Sequence, residues 1–220
     1  MATHNFKITI PKWLDAILTA PLLLCRRLWY GYSFRRIPVN MGKYALVDPS
    51  RFHELSKYTW FAKKDSCSAT TYKAVRLNPN GSYNCLIYMH REVLNAQKGQ
   101  IVDHKDGNGL HNRVDNLRFA NPSQNACNRP KLRSKTSSRY MGVSFRKDCG
   151  LWITYISFNG KRLWLGRFNC ETEAAKAYDA AAKKYHGEFA CLNFPENKGK
   201  GLRKRLVSLV GLILTFIKCG

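Results

Sequence analysis

The chain has 220 residues, 45% of them apolar, with 37 Lys plus Arg against 14 Asp plus Glu and a formal net charge of +23. That length holds one or two compact domains, and that apolar share excludes a disordered polycation. A folded protein this basic is built to meet a polyanion, because each phosphate it neutralises releases condensed counterions. Nucleic acid leads that reading, ahead of an anionic membrane surface or a ribosomal scaffold.

Residues 1–36 predict an amphipathic helix followed by an aromatic, basic turn, "RRLWYGYSFRR". Its favoured place is packed against the next domain with a basic rim, ahead of direct contact with DNA phosphates. "AILTAPLLLC" (16–25) has Asp15 before it, Arg26 and Arg27 after it, and no small-residue cleavage site, so it does not read as an export signal. Neither it nor "LVSLVGLILTFI" (206–217) reaches the roughly 20 apolar residues that a bilayer span needs. The eight Cys are scattered, with no pair two to four residues apart, so no zinc ribbon or redox pair is expected. Reduced thiols and a cytoplasmic, nucleoid-associated location follow.

Residues 37–129 alternate strand-like runs with turns: "KYALVD", "TWFAKK", "TYKAVRL" and "YNCLIYMH". The segment from Val102 to Arg129 then packs two His, three Asp and six Asn into 28 residues. "QIVDH" reads as a strand, "KDGNG" as a turn and "NLRFA" (116–120) as the returning strand. Asn121-Pro122-Ser123-Gln124 has the form of a helix start, with Asn121 as cap, Pro122 at the first position and Gln124 reaching back. The helix runs to about Asn128, so the order is strand, strand, helix.

That order lets Asp103 and His104 face Asn125 and Asn128, which share one side of the helix. A carboxylate and an amide carbonyl are hard oxygen ligands suited to a Mg²⁺-type ion. Alternation turns Asp103 and His104 apart, Asp103 toward the metal and His104 toward an attacking water whose proton it takes. The bland reading of each Asn is a cap or turn former, and of each His a satisfied core or surface residue.

Residues 130–139 ("PKLRSKTSSR") read as a basic linker, 140–194 as a second α+β unit, and 195–220 as a basic connector with an apolar tail. The tail is either a membrane-surface or oligomer contact or an end without a role. "YMGVSFRK", "LWITYISFN" and "KRLWLGRF" predict three antiparallel strands, with Asn159-Gly160 as the two-residue turn between the last two. A helix follows over 171–188, acidic at its start, stopped by Gly187, with Ala174, Ala177, Tyr178, Ala181, Ala182 and Tyr185 on one face. Alternation places Trp152, Thr154, Ile156 and Phe158 toward that helix. Tyr155 and Ser157 join Arg146, Arg162, Trp164 and Arg167 on the open side. Such a face suits base edges and phosphates; a merely solvated basic surface is the competing reading.

"VDHKDGN…NRVDNLRFA…QN" resembles the HNH nuclease motif, and residues 140–194 resemble an AP2 DNA-binding domain. Together they are similar to the HNH endonucleases of phages and bacteria that carry an appended AP2 domain. The resemblance implies an α+β chain with a ββα-metal core at 100–129, inside a nuclease domain at 37–129, followed by an AP2-like sheet and helix. It implies that Asp103 and Asn125 bind one divalent ion, Mg²⁺ or Mn²⁺ in its place. It makes His104 the general base and Asn116 the residue that ties the loop and orients that base. His90, Asn112 and Asn128 would be accessory, and His111 an ordinary loop residue. Gly142, Ser144, Arg146, Tyr155, Ser157, Arg162, Trp164 and Arg167 match the AP2 contacts to DNA. The implied function is metal-dependent cleavage of double-stranded DNA, with no obligate protein partner and no membrane span. The rivals are a non-catalytic AP2-type DNA-binding regulator and a basic RNA-binding protein. Plant AP2 proteins carry Arg or Glu where this chain has Met141, Ser144, Tyr155 and Ser157, so a looser target preference is expected.

Overall fold

A computed structural model describes residues 11–65, 71–79, 85–128 and 137–195, and short antiparallel strands and five α-helices organise these described residues. The predicted apolar tail and most of the predicted linker lie outside the described residues. The described residues fall into two units, one holding 11–37 and 46–58, the other 38–45 and 59–195.

The first unit carries α1 (Lys12–Tyr30), most of β1 (Arg35–Pro38), the second half of β2 (Tyr44–Val47) and α2 (Pro49–Leu55). No residue of α1 is buried, although Trp13, Ile17, Leu18 and Leu24 are apolar. Polar anchors hold it instead. Arg35 bonds Asp15 at 2.8 and 3.2 Å and lies over the Phe52 ring at 3.8 Å, and Arg26 donates to the Phe34 carbonyl at 2.6 Å.

In the second unit, β3 (Phe61–Lys64), β4 (Tyr72–Leu77) and β5 (Leu86–Tyr88) form an antiparallel sheet in that order. The strand predicted through "YNCLIYMH" ends early, because Met89 and His90 open α3 (Met89–Val93). Met89 and Val93, four apart, both enter the core, and Glu92 pairs with Arg76 at 3.1 Å, which fixes the helical turn on β4.

β6 (Ile101–His104) and β7 (Leu117–Ala120) form a two-stranded antiparallel ribbon, followed by α4 (Pro122–Cys127). The capping box at Asn121 is present in both directions, at 2.8 and 2.9 Å. Asn116 closes a 3-10 turn, Val114–Asn116, rather than opening β7. Gly109 lets the connecting loop lie on β4, since a Cβ there would sit 2.4 Å from the Tyr72 carbonyl oxygen.

β8 (Val143–Arg146), β9 (Leu151–Phe158) and β10 (Lys161–Phe168) form the last sheet, with β9 central, backed by α5 (Glu171–His186). Asn159 and Gly160 both take positive φ, 49° and 73°, as a two-residue hairpin turn requires. Ile156 packs on Tyr178, Ala181 and Ala182, and the Thr154 hydroxyl donates to the Ala174 carbonyl at 3.2 Å. Ala175, not Ala177, completes the buried helix stripe. α5 gives way at Gly187 to a 3-10 turn, Gly187–Phe189. Among the described residues no helix is long and apolar enough to cross a membrane.

Candidate nucleic-acid interface

The open face of the last sheet is assembled by register. Ser157 stands opposite Arg162, Tyr155 opposite Trp164, and Ile153 lies between Ser144 and Arg167, while Arg146 faces Leu151. A bulge after Trp164 keeps Arg167 on this side of the sheet, by adding one residue to β10. The Tyr155 and Trp164 rings meet edge to face at 5.0 Å. Arg162 lies over Tyr155 at 4.1 Å and Arg167 over Trp164 at 5.8 Å. Trp164 is half exposed, a costly state for so large an apolar group unless something covers it.

The predicted contact residues thus share one surface, with two qualifications. Gly142 is a packing residue: φ is +72°, and a Cβ would fall 2.0 Å from the Tyr178 ring. The Arg146 guanidinium is already engaged, donating to Asp148 at 2.8 and 2.5 Å.

The ribbon and α4 gather a second cluster. His104 is buried, and its Nε2 lies 3.2 Å from Asn112 Oδ1; the amide oxygen accepts, which leaves the Nε2 proton on the ring. Burial drives the His104 pKa down despite the Asn112 hydrogen bond, so the imidazole is neutral. His90 meets it edge-on at 5.1 Å, and burial, with His104 and Lys73 nearby, pushes the His90 pKa down to about 3.

Asn116 ties the loop, donating to Asp106 Oδ1 and to the His111 carbonyl, both at 2.9 Å. His111 Nδ1 lies 2.7 Å from Asp106 Oδ2, giving that histidine a structural place in the loop. Burial works against the Asp106 carboxylate, yet its bonds with His111 and Asn116 draw its pKa down. Of the two roles expected of Asn116, tying the loop and orienting the base, its bonds are those of the first, and the amide that holds the imidazole is Asn112.

Asp103 is buried, and its neighbours differ from the pattern read in the sequence. Arg118, its cross-strand partner, donates from Nε and Nη2 to Asp103 Oδ2 at 3.0 and 2.8 Å. The amide reaching it from the end of α4 is Asn128, whose Nδ2 lies 3.1 and 3.0 Å from the two carboxylate oxygens and 2.7 Å from the His104 carbonyl. Asn125 is half-buried one turn earlier on α4. Among the described residues no group of three or more His, Cys, Asp or Glu is placed to hold a metal ion. Arg118 was legible only through register, since its alignment with Asp103 depends on how β6 and β7 pair.

Residues 138–188 match the family model of the AP2 domain. The chain is 42% identical over 76 residues to "Dehydration-responsive element-binding protein 2E" of Arabidopsis thaliana, covering 30% of this chain and 31% of that protein. It is 36% identical over 98 residues to "AP2-like ethylene-responsive transcription factor TOE2" of the same plant, covering 44% of this chain and 19% of that one. The chain thus spans about a third or less of these plant proteins. It is also 33% identical over 93 residues to "Protein 3.8" of Escherichia phage T7, covering 42% of this chain and 75% of that protein.

Proposed function

The chain belongs to the family of Protein 3.8 of Escherichia phage T7, and from that premise we propose that it is a double-stranded-DNA-binding protein of the regulator type. The observation that carries this is the open Tyr155–Trp164 pair with Arg162 and Arg167 over its rings. The ring faces attract each cation while its N–H groups donate to phosphate or guanine. Two of the plant relatives are by name an element-binding protein and a transcription factor. The net charge of +23 adds the sequence-independent affinity that such a protein needs. Fluorescence anisotropy with a labelled duplex across a salt series tests the reading, with double-stranded RNA as competitor. Linear decline of log K with log salt and weak RNA competition are expected. No binding of the intact chain to duplex DNA at low salt defeats it.

A second reading, hydrolysis of DNA phosphodiester bonds as an HNH-type endonuclease, draws on one observation. A neutral, buried imidazole, His104, adjoins a carboxylate, Asp103, on one short strand. In that reading Asp103 and Asn125 hold a Mg²⁺-type ion, which would polarise the phosphate, and His104 accepts the proton of the attacking water. As arranged, the residues do not fit such an ion. Arg118 and Asn128 fill the Asp103 oxygens, and the guanidinium repels a second cation at that distance. The reading therefore requires Arg118 to withdraw from Asp103. Supercoiled plasmid incubated with Mg²⁺ tests it: nicked or linear product that vanishes with EDTA and in His104→Ala is expected. Equal behaviour of intact and His104→Ala protein defeats it.

A further inference from the structure

The three arginines of the open face are held in two different ways. Arg162 and Arg167 lie over aromatic rings, at 4.1 and 5.8 Å. Arg146 instead closes its fork on a carboxylate, Nε to Asp148 Oδ1 at 2.8 Å and Nη2 to Asp148 Oδ2 at 2.5 Å. Two parallel N–H···O bonds are the geometry that an arginine fork also presents to phosphate or to guanine.

The turn between β8 and β9 places the acid there. Gly150, at φ +66°, donates its N–H to the Arg146 carbonyl at 2.9 Å, and Asp148 stands on the turn so formed. Both side chains are more than half exposed, 54% and 59%, so packing does not force them together. An exposed pair contributes little to the fold. The hydrogen bond with Arg146 holds the Asp148 carboxyl down to about 2, so its charge is present at every pH at which DNA is bound.

We propose that Asp148 sets the DNA affinity of this chain by occupying the Arg146 fork as an internal stand-in for phosphate until duplex DNA displaces it. The proposal rests on the DNA-binding reading above. Binding must open the pair and bring a spare carboxylate close to the phosphates, and both effects oppose association. Non-specific duplex, which offers little beyond phosphate, suffers most from that opposition. Asp148 thus raises discrimination by weakening contacts that carry no sequence information.

The test uses the full chain, a labelled duplex of random sequence, and anisotropy over a salt series for four proteins: the parent, Asp148→Asn, Arg146→Gln and the double variant. Freeing one arginine for one phosphate steepens the slope of log K against log salt by about 0.9, which at 0.1 M salt is roughly a five- to tenfold gain in affinity. Asp148→Asn is expected to show both, with its melting temperature unchanged. In the Arg146→Gln background the same change is expected to give a clearly smaller gain, because no fork is left to release and only the carboxylate's repulsion of the phosphates is removed. Parent-like binding by Asp148→Asn overturns the proposal, and so does an equal gain in the Arg146→Gln background, which would reduce Asp148 to a repelling charge. If the parent binds no duplex at any salt, the DNA-binding reading falls and the proposal with it. Binding by the parent with Asp148→Asn unaltered removes Asp148's role alone.

Discussion

Arg118 stands directly opposite Asp103 on the β6–β7 ribbon, closes on its carboxylate at 2.8 Å, and reaches the AP2 region with the rest of its guanidinium. Its Nη1 donates to the Glu188 carbonyl, and its guanidinium carbon lies 3.8 Å from the centre of the Phe189 ring. Both members of the pair are buried, with side chains 8% and 9% exposed. Removing Arg118 leaves an uncompensated buried carboxylate, so Arg118→Met is expected to cost about 3–5 kcal/mol. Urea unfolding reads this directly. Arg118→Met combined with Asp103→Leu should recover most of the loss, because the stranded charge goes with its partner. A loss under about 1 kcal/mol for the single variant would mean that Asp103 finds water or another partner.

His90 predicts a pH dependence of stability. Its pKa in the fold is about 3, against an ordinary 6.5, mainly because burial disfavours the imidazolium. Below pH 6.5 the unfolded chain takes up a proton that the folded chain refuses, so stability falls as pH drops toward 3. The slope from this residue is at most about 1.4 kcal/mol per pH unit. His104, also shifted down by burial, adds in the same direction. Asp106 acts in a different window: its pKa lies below 3.8, so its contribution is complete above 3.8 and lost only as pH falls through the lowered value. Urea midpoints between pH 7 and 4.5 should therefore decline in the parent and decline less in His90→Leu. Parallel curves would show that His90 becomes protonated without unfolding.

Gly142 should be intolerant of a side chain where Gly150 is not. A Cβ on Gly142 would lie 2.0 and 2.3 Å from two Tyr178 ring carbons and 2.8 Å from the Tyr155 carbonyl oxygen. Gly150 also has positive φ, but nothing lies within 4 Å of its Cβ position. Gly142→Ala is expected to cost more than about 3 kcal/mol, from overpacking added to backbone strain, and Gly150→Ala about 1 kcal/mol from strain alone. Thermal melts of the two variants against the parent decide the order.

Two residues of the open face should fail in different ways. Trp164→Ala removes ring surface and no charge, so duplex affinity should fall while the salt slope stays put. Arg167→Ala removes a cation and should flatten that slope by about 0.9 as well as weaken binding. Identical slopes in the two variants would place Arg167 away from the phosphates.

Much of the architecture was legible in the residues because it rests on short-range physics. The Asn159-Gly160 turn follows from two residues that accept positive φ, and the start of α4 from Asn121, Pro122 and Gln124 at capping-box spacing. The two sides of β9 follow from a period of two, which sends Ile156 to the helix and Tyr155 to the open face. These are i, i+2 and i, i+3 relations, and the chain carries them wherever it folds.

Tertiary structure decided which charged groups meet, because that depends on register and on contacts between residues far apart in sequence. Nothing local announced that Arg118 would face Asp103 across the ribbon, or that Phe189, 71 positions beyond, would stack on the same guanidinium. Nothing local made Asn128 rather than Asn125 the amide on that carboxylate, since both lie on one side of a short helix and only its docking angle chooses. Gly142 reads as a contact to DNA until α5 brings Tyr178 against it. Composition, turns and alternation were thus fixed by the chain itself, through dihedral preference and burial of apolar faces. The pairing of its buried charges was fixed only by packing, because Coulomb energy depends on distances that no sequence spacing specifies.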